Sequence, residues 1–405
     1  MNCEQLLVSK REAGPTPSRI SLKTGCSSTP IKLALISCGL GRVQRGFEIT
    51  TSRWQAAISS DKRLDLKVFS GGAYPDAERV WNIPRNSLLD SPLGVFNVLN
   101  EKRFWELCNR VEQASFGIGL FPRLLSWKPD VVWTKELPLG RFLLAIRKMF
   151  GLKYKIIFAQ GGGLEPASYK DFDLIQHLYP DSYREAARFG IGEHKMLLLP
   201  NCVSYETPAE SREQLRRNFG FRDNDWIVIC VAAWNRYQKR LDYLIEEVAA
   251  LGDPDAKLLL CGHPEAETRS LKALAAQKLG KNVRWFTLAP EDVHRALYLS
   301  DVFVLPSLSE GLSSALIEAV MAGLPVICHP HPGGEYVLEG DESFVDLGRS
   351  GALSNRLRIC RGELRSEENL KRLQNRAFQR FGAEGLAEEF FTMVKTAHAM
   401  NEVGH

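Results

Sequence analysis

Residues 305–328 read LPSLSEGLSSALIEAVMAGLPVIC, and the order of side chains in this stretch decides the fold. An apolar run ends at Pro306, a polar loop follows, residues 313–322 have a helical pattern, and residues 325–328 are apolar again. A strand, loop, helix and strand in so short a span make a parallel βαβ unit, because parallel neighbours need a crossover that covers the sheet. In open α/β sheets ligands bind beyond the carboxyl ends of the strands, so the loop after the first strand is where chemistry is expected. Gly311 lets the backbone approach a ligand closely. The N–H groups at the helix start, around Ser313 and Ser314, favour an anion. Glu310 stands at the loop mouth, and Glu318 lies between Ile317 and Ala319, where an unpartnered ionised carboxylate would cost several kcal/mol. Taken singly, Glu318 is equally a salt-bridged structural acid and Glu310 a solvated loop acid. Together they flank an anion seat with groups that accept hydrogen bonds from a diol, which suits a nucleoside-diphosphate sugar.

Outward from this unit the same alternation continues. Strand-like runs at residues 226–232, 257–261, 283–286 and 302–305 are separated by helical patterns at 241–251, 267–279 and 292–299. A second series lies upstream, with strands expected at 31–38, 66–70, 130–133, 155–159 and 197–199 and a helix at 47–59. Residues 200–215, PNCVSYETPAESREQL, have two prolines and little apolar pattern and are assigned as the linker. The fold class is therefore α/β, with two doubly wound Rossmann-like parallel-sheet domains facing a central cleft. The expected boundaries are a flexible tail at 1–30, an N-terminal domain at 31–203, a C-terminal domain at 204–383, and a last helix at 384–405 that packs back on the N-terminal domain.

Glu310-x7-Glu318, within EGLSSALIEAVMAGLPVI, resembles the signature of family 4 glycosyltransferases, which have the two-domain GT-B fold. KRLDYLIEEVAAL, KLLLCG, VRWFTLAPEDVHRALYLSDVFVLPSLSEG and PNCV follow that family's order, so the likeness runs from residue 31 to about residue 385. The resemblance implies retaining transfer of a sugar from a nucleoside-diphosphate-sugar donor to an acceptor hydroxyl, in polysaccharide or glycoconjugate synthesis, with no cofactor and no metal. It implies that Glu310 contacts the donor sugar and Glu318 the ribose, and that Lys239 and Arg236 hold the diphosphate, beside Gly311, Leu312, Ser313, Ser314, Gly262 and Gly41 on the donor side. The family's usual arginine position falls on Trp234, and Arg236 is the nearest basic residue. Gln160 stands where the family often has a histidine, and Gln160, Gly161 and Gly46 are placed on the acceptor side. Glutamine donates a hydrogen bond but cannot act as a general base.

Other chemistries are less well served. Cys38–Gly39–Leu40–Gly41, with the next glycine at Gly46, misses the dinucleotide spacing by two positions, and Phe47 stands where a P-loop needs lysine. An NAD(P)-dependent oxidoreductase and a non-catalytic sugar-nucleotide binder are the alternatives. Asp171/Asp173, Asp223/Asp225 and Asp253/Asp255 match the metal-binding DxD of GT-A transferases but sit in turn contexts. Lys plus Arg number 52 and Asp plus Glu 48, a net +4 too small for a nucleic-acid binder that works by overall charge. No run reaches the ~18 apolar residues of a membrane span. The first residues lack a secretory apolar core. The nine cysteines include no CxxC, which suits reduced thiols in a cytoplasmic protein. Residues 141–155, RFLLAIRKMFGLKYK, carry five basic and no acidic residues; beyond a solvated helix, they offer peripheral membrane contact if the acceptor is lipid-linked.

Overall fold

The computed structural model describes residues 29–43, 46–85, 87, 101–339, 343–362 and 366–400. All but the last two residues of the expected tail lie outside this set.

The first sheet contains β1 (Ile31–Ser37), β2 (Leu64–Ser70), β3 (Ala77–Arg79), β4 (Val131–Thr134), β5 (Lys155–Ala159), β6 (Leu174–His177) and β7 (Met196–Leu198), in the order β3-β2-β1-β4-β5-β6-β7. Every pairing is parallel, with Leu33 opposite both Leu66 and Val131. The second sheet contains β8 (Trp226–Val231), β9 (Ala256–Cys261), β10 (Val283–Phe286), β11 (Val302–Leu305) and β12 (Val326–Cys328), in the order β10-β9-β8-β11-β12, again all parallel. Strand direction and apolar runs agree: central strands such as β1 and β11 are buried on both faces, so their sequences do not alternate.

Each sheet reverses its winding once, between β1 and β4 in the first and between β8 and β11 in the second. The loops after those four strands therefore open at the two switch points, where α/β sheets bind ligands. Those loops carry Gly39–Gly41, Glu136, Lys239 and Glu310.

The helix Ala383–Ala399 returns to the N-terminal domain. Leu386, Phe390, Met393 and Val394 join Leu33, Leu35, Trp54 and Trp133 in one cluster, with the Phe390 ring 4.3 Å from Trp54. Each large side chain buried there contributes about 1.5–3 kcal/mol. Gly382, where the chain turns, would clash with the Phe378 carbonyl if it carried a Cβ, at 2.4 Å.

Four elements differ clearly from expectation, among them the helix Glu101–Trp127, where the sequence shows no readable pattern. The helix Arg212–Asn218 begins inside the stretch assigned as linker, started by a capping box between Ser211 and Gln214. The strands β3 and β6 were not expected, because β3 reads Ala-Glu-Arg and β6 carries the buried polar Gln176 and His177, so neither is an apolar run.

Candidate functional site

Glu310 and Lys239, seventy-one positions apart, form an ion pair between the loops after β11 and β8. The turn that aims Lys239 is built around Asn235, which is buried. Its Oδ1 accepts from the backbone N–H of Gln238 (3.2 Å) and Lys239 (2.8 Å), and its amide donates to Glu265 at 2.9 Å. Arg240 follows in a left-handed conformation at φ +48°, and its guanidinium turns away to the carbonyls of Pro306 (3.1 Å) and Leu347 (2.9 Å). Arg240 thus pins the end of β11 to the turn that carries the lysine.

The helix Ser314–Met321 starts directly after Glu310-Gly311-Leu312. Ser313 caps it, its hydroxyl accepting from Leu316 N–H at 3.4 Å, while Leu312 is buried in the C-terminal core. Glu318, one turn in, is buried and ion-paired with Arg53 of the helix Gly46–Ile58, which belongs to the N-terminal domain. The partner that Glu318 requires is therefore supplied across the cleft. His294, the Arg53–Glu318 pair and Cys202 neighbour one another here; burial is the main reason the His294 pKa falls, and burial pushes the Cys202 thiol up to about 12.

At the cleft mouth the two domains touch backbone to backbone. A Cβ on Gly311 would lie 2.1 Å from the Gly161 carbonyl oxygen, and one on Gly162 would lie 2.4 Å from Gly311 Cα. Gly333 closes the other side of Gly311, since a Cβ there would lie 1.8 Å from its carbonyl oxygen. Gln160 shapes the N-terminal half of this contact: it is buried, and its Oε1 accepts from Gly162 N–H at 3.1 Å. Its carbonyl is therefore committed to the glycine turn. Phe47 packs against Gly161, and Lys135 Nζ lies 5.6 Å from the Phe47 ring centre and donates to Asn201 Oδ1 at 3.0 Å. Burial drives the Lys135 pKa down to about 7. Gly46 begins its helix facing open space, and Gly41 (φ +80°) packs against Ala73.

Beneath the first glycine loop lies a buried polar cluster. Cys38 N–H donates to Glu136, 3.0 Å from Oε2, and its thiol lies 2.9 Å from Oε1. Glu112 pairs with Arg85 at 2.5 Å. Burial pushes the Glu136 carboxyl up to about 7, with the hydrogen bonds from Cys38 opposing and the Glu48 charge adding to the shift. Burial also raises the Cys38 thiol well above its ordinary value, so it is held as the thiol.

Of the residues singled out from sequence, the structure brings together Glu310, Lys239, Gly311, Gly161 and Gln160, with Ser313, Ser314 and Glu318 on the adjoining helix. It does not bring Arg236 to them. The Arg236 guanidinium instead donates to Ser270 Oγ at 2.6 Å and lies within 4.0 Å of the Asp242 and Glu267 carboxylates. Trp234 is buried against Trp285, ring centres 4.9 Å apart. Gly262 faces Ala232, where a Cβ would lie 1.8 Å from the carbonyl oxygen. Asp173 pairs with Arg147 and Lys155, Asp225 with Lys257, and Asp253 with Arg361. Among the described residues no three His, Cys, Asp or Glu side chains form a metal-holding group. Sequence reasoning missed Arg53, Asn235 and His331. His331 is buried near Glu310, with Nδ1 2.8 Å from the His329 carbonyl. No local motif marks any of the three.

The chain is similar to known proteins in part of its sequence and in its fold. Residues 211–378 match the family described as "Glycosyl transferases group 1". EpsD of Bacillus subtilis (strain 168), named as a glycosyltransferase, is 31% identical over 156 residues, 37% of this chain and 40% of EpsD. The UDP-Gal:alpha-D-GlcNAc-diphosphoundecaprenol alpha-1,3-galactosyltransferase of Escherichia coli is 28% identical over 175 residues, 40% of this chain and 44% of that protein. The chain thus spans less than half the length of these curated relatives. Sucrose-phosphate synthase from Thermosynechococcus elongatus superposes with a TM-score of 0.72 at 17% identity, over 91% of this chain and 100% of that one. Anabaena HepE in complex with UDP-glucose superposes with a TM-score of 0.68 at 15% identity, over 90% and 100%. The fold is GT-B, and the residues that match the group 1 model lie in its C-terminal domain.

Proposed function

We propose that this chain transfers a sugar from a nucleoside-diphosphate-sugar donor to an acceptor hydroxyl with retention of configuration. The observation that carries the reading is the meeting of Lys239 and Glu310 at the C-terminal switch point, beside a helix start and opposite the Gly161–Gly162 backbone.

The donor lies mainly on the C-terminal domain. Its diphosphate takes Lys239 from Glu310, and the freed carboxylate accepts from the sugar hydroxyls. The N–H groups of Ser314 and Ala315 add the field of the helix start. Glu318, held through one oxygen by Arg53, offers the other to the ribose diol. As the anomeric C–O bond breaks, charge grows on the diphosphate and Lys239 and the helix start oppose it. The acceptor hydroxyl attacks the same face, and its proton passes to the departing phosphate oxygen. Gln160 cannot serve as base, and this route needs none. Contact between the glycine loops excludes water and so limits hydrolysis. The lobes open to admit the donor.

HepE was solved with UDP-glucose and the Escherichia coli relative is named for a UDP-sugar and a lipid-linked acceptor, which supports UDP as the nucleotide and a saccharide or lipid-linked acceptor. Calorimetric titration of UDP, GDP and ADP into the wild type and Lys239→Ala tests the reading.

A further inference from the structure

The helix Glu101–Trp127 covers the N-terminal sheet, and its outward face is unlike a solvated one. Leu107, Arg110, Ala114, Ile118, Pro122 and Leu125 recur at helical spacing and are all exposed, Ile118 at 63%. A helix of a water-facing surface is polar on that side. The neighbouring helix Leu137–Phe150 runs alongside it: Gln113 accepts from Leu139 N–H at 3.1 Å, Gly117 packs on Phe142, and the Phe121 and Phe150 rings are 4.7 Å apart. Met149, 74% exposed, and Phe150 extend the apolar strip. Around it stand exposed Arg110, Arg141, Lys148 and Lys153, and residues 113–129 and 137–155 contain no acid. Arg147 and Lys155 are already bound to Asp173, and Arg141 donates to the Ser168 carbonyl at 2.8 Å, so the uncommitted charge is concentrated on Lys148, Lys153 and Arg110.

We propose that this two-helix face docks on an anionic phospholipid surface. Apolar side chains ringed by basic ones, with one exposed acid, Glu106, at the Leu107 end and Glu112 buried on Arg85, are the pattern of an interfacial helix: the strip enters the headgroup boundary and the lysines meet lipid phosphates. A second copy of this chain would present the same positive charge, which disfavours self-association through this face. From Leu107 to Leu125 the strip is about 27 Å long. Crossover helices run opposite to their strands, so its Leu107 end lies towards the cleft. Lying on its side, the domain keeps the cleft at headgroup level. This inference names the surface that would bring a lipid-linked acceptor to the site, but binding to vesicles does not depend on the transferase reading.

The test is co-sedimentation of the full chain with vesicles of phosphatidylcholine alone or mixed with phosphatidylglycerol. The expected result is binding to the mixed vesicles only, falling as salt rises. Lys148→Ala with Lys153→Ala should weaken it about thirtyfold. Ile118→Glu with Met149→Glu should abolish it, with thermal unfolding unchanged because both positions are exposed. No binding to anionic vesicles, equal binding to both vesicle types, or unaltered binding by both double variants would overturn the proposal. So would a concentration-dependent dimer that Ile118→Glu dissolves. Loss of nucleotide binding with vesicle binding intact would count against the transferase reading alone.

Discussion

Arg53→Ala tests whether the two domains are joined through a ligand-binding acid. The Arg53 and Glu318 side chains are 10% and 8% exposed, so their ion pair is largely out of water. Removing one partner of a buried pair leaves the other charge uncompensated, at a cost of about 3–5 kcal/mol. At roughly 2 °C per kcal/mol for a large chain, thermal unfolding should fall by about 6–10 °C. Such a loss alone would not separate this pair from any other packing defect, so the assay is a double-mutant cycle. Arg53→Ala, Glu318→Gln and the double variant are compared by calorimetric unfolding. The double variant should be less damaged than the two single losses predict, with a coupling above about 1 kcal/mol. Arg53→Ala should also weaken nucleotide binding, although Arg53 is not placed on the nucleotide, because Glu318 loses the group that orients it. Losses that add to within about 0.5 kcal/mol would refute the pairing.

Two further outcomes follow from the geometry. Gly311→Ala places a Cβ 2.1 Å from the Gly161 carbonyl, so the lobes cannot close: small-angle scattering should show a larger radius, and turnover should fall steeply while each domain stays folded. Unchanged dimensions and turnover would contradict the loop contact. Glu136 is held protonated by burial up to about pH 7, against an ordinary 4.5. Its stabilising contribution is therefore present below about pH 4.5 and lost as pH rises through about 7, ~3 kcal/mol in all. Glu136→Gln, which keeps an acceptor for Cys38 N–H, should gain about that much on the wild type between these limits, and parallel stability curves would contradict the shift.

The strands were legible where apolar residues dominate them. β5, β10 and β11 lie where the apolar runs put them. β3 reads Ala-Glu-Arg and the buried β6 carries Gln176 and His177, so neither shows an apolar run. The helix Glu101–Trp127 was hidden for a different reason: its outward face is apolar, so the amphipathic contrast that marks a helix is absent, and Pro122 interrupts the pattern. At the site, Glu310 and Glu318 were legible because one loop and one helix hold both. Arg53 was not, since its partner lies 265 positions away and nothing local distinguishes it from any helical arginine. Arg236 shows the converse limit. The resemblance puts a diphosphate arginine at Trp234, which made Arg236 the nearest basic candidate, but its guanidinium is engaged by Ser270, Asp242 and Glu267.

The central claim is that Lys239 grips the diphosphate of a sugar nucleotide at the β8–β11 switch point. Titrating UDP into the wild type and Lys239→Ala tests it most directly. The account predicts saturable heat with the wild type and a dissociation constant about tenfold to a hundredfold weaker in the folded variant, the loss of one charged hydrogen bond. Equal affinity in both proteins, or no binding of UDP, GDP or ADP to the wild type, would contradict it.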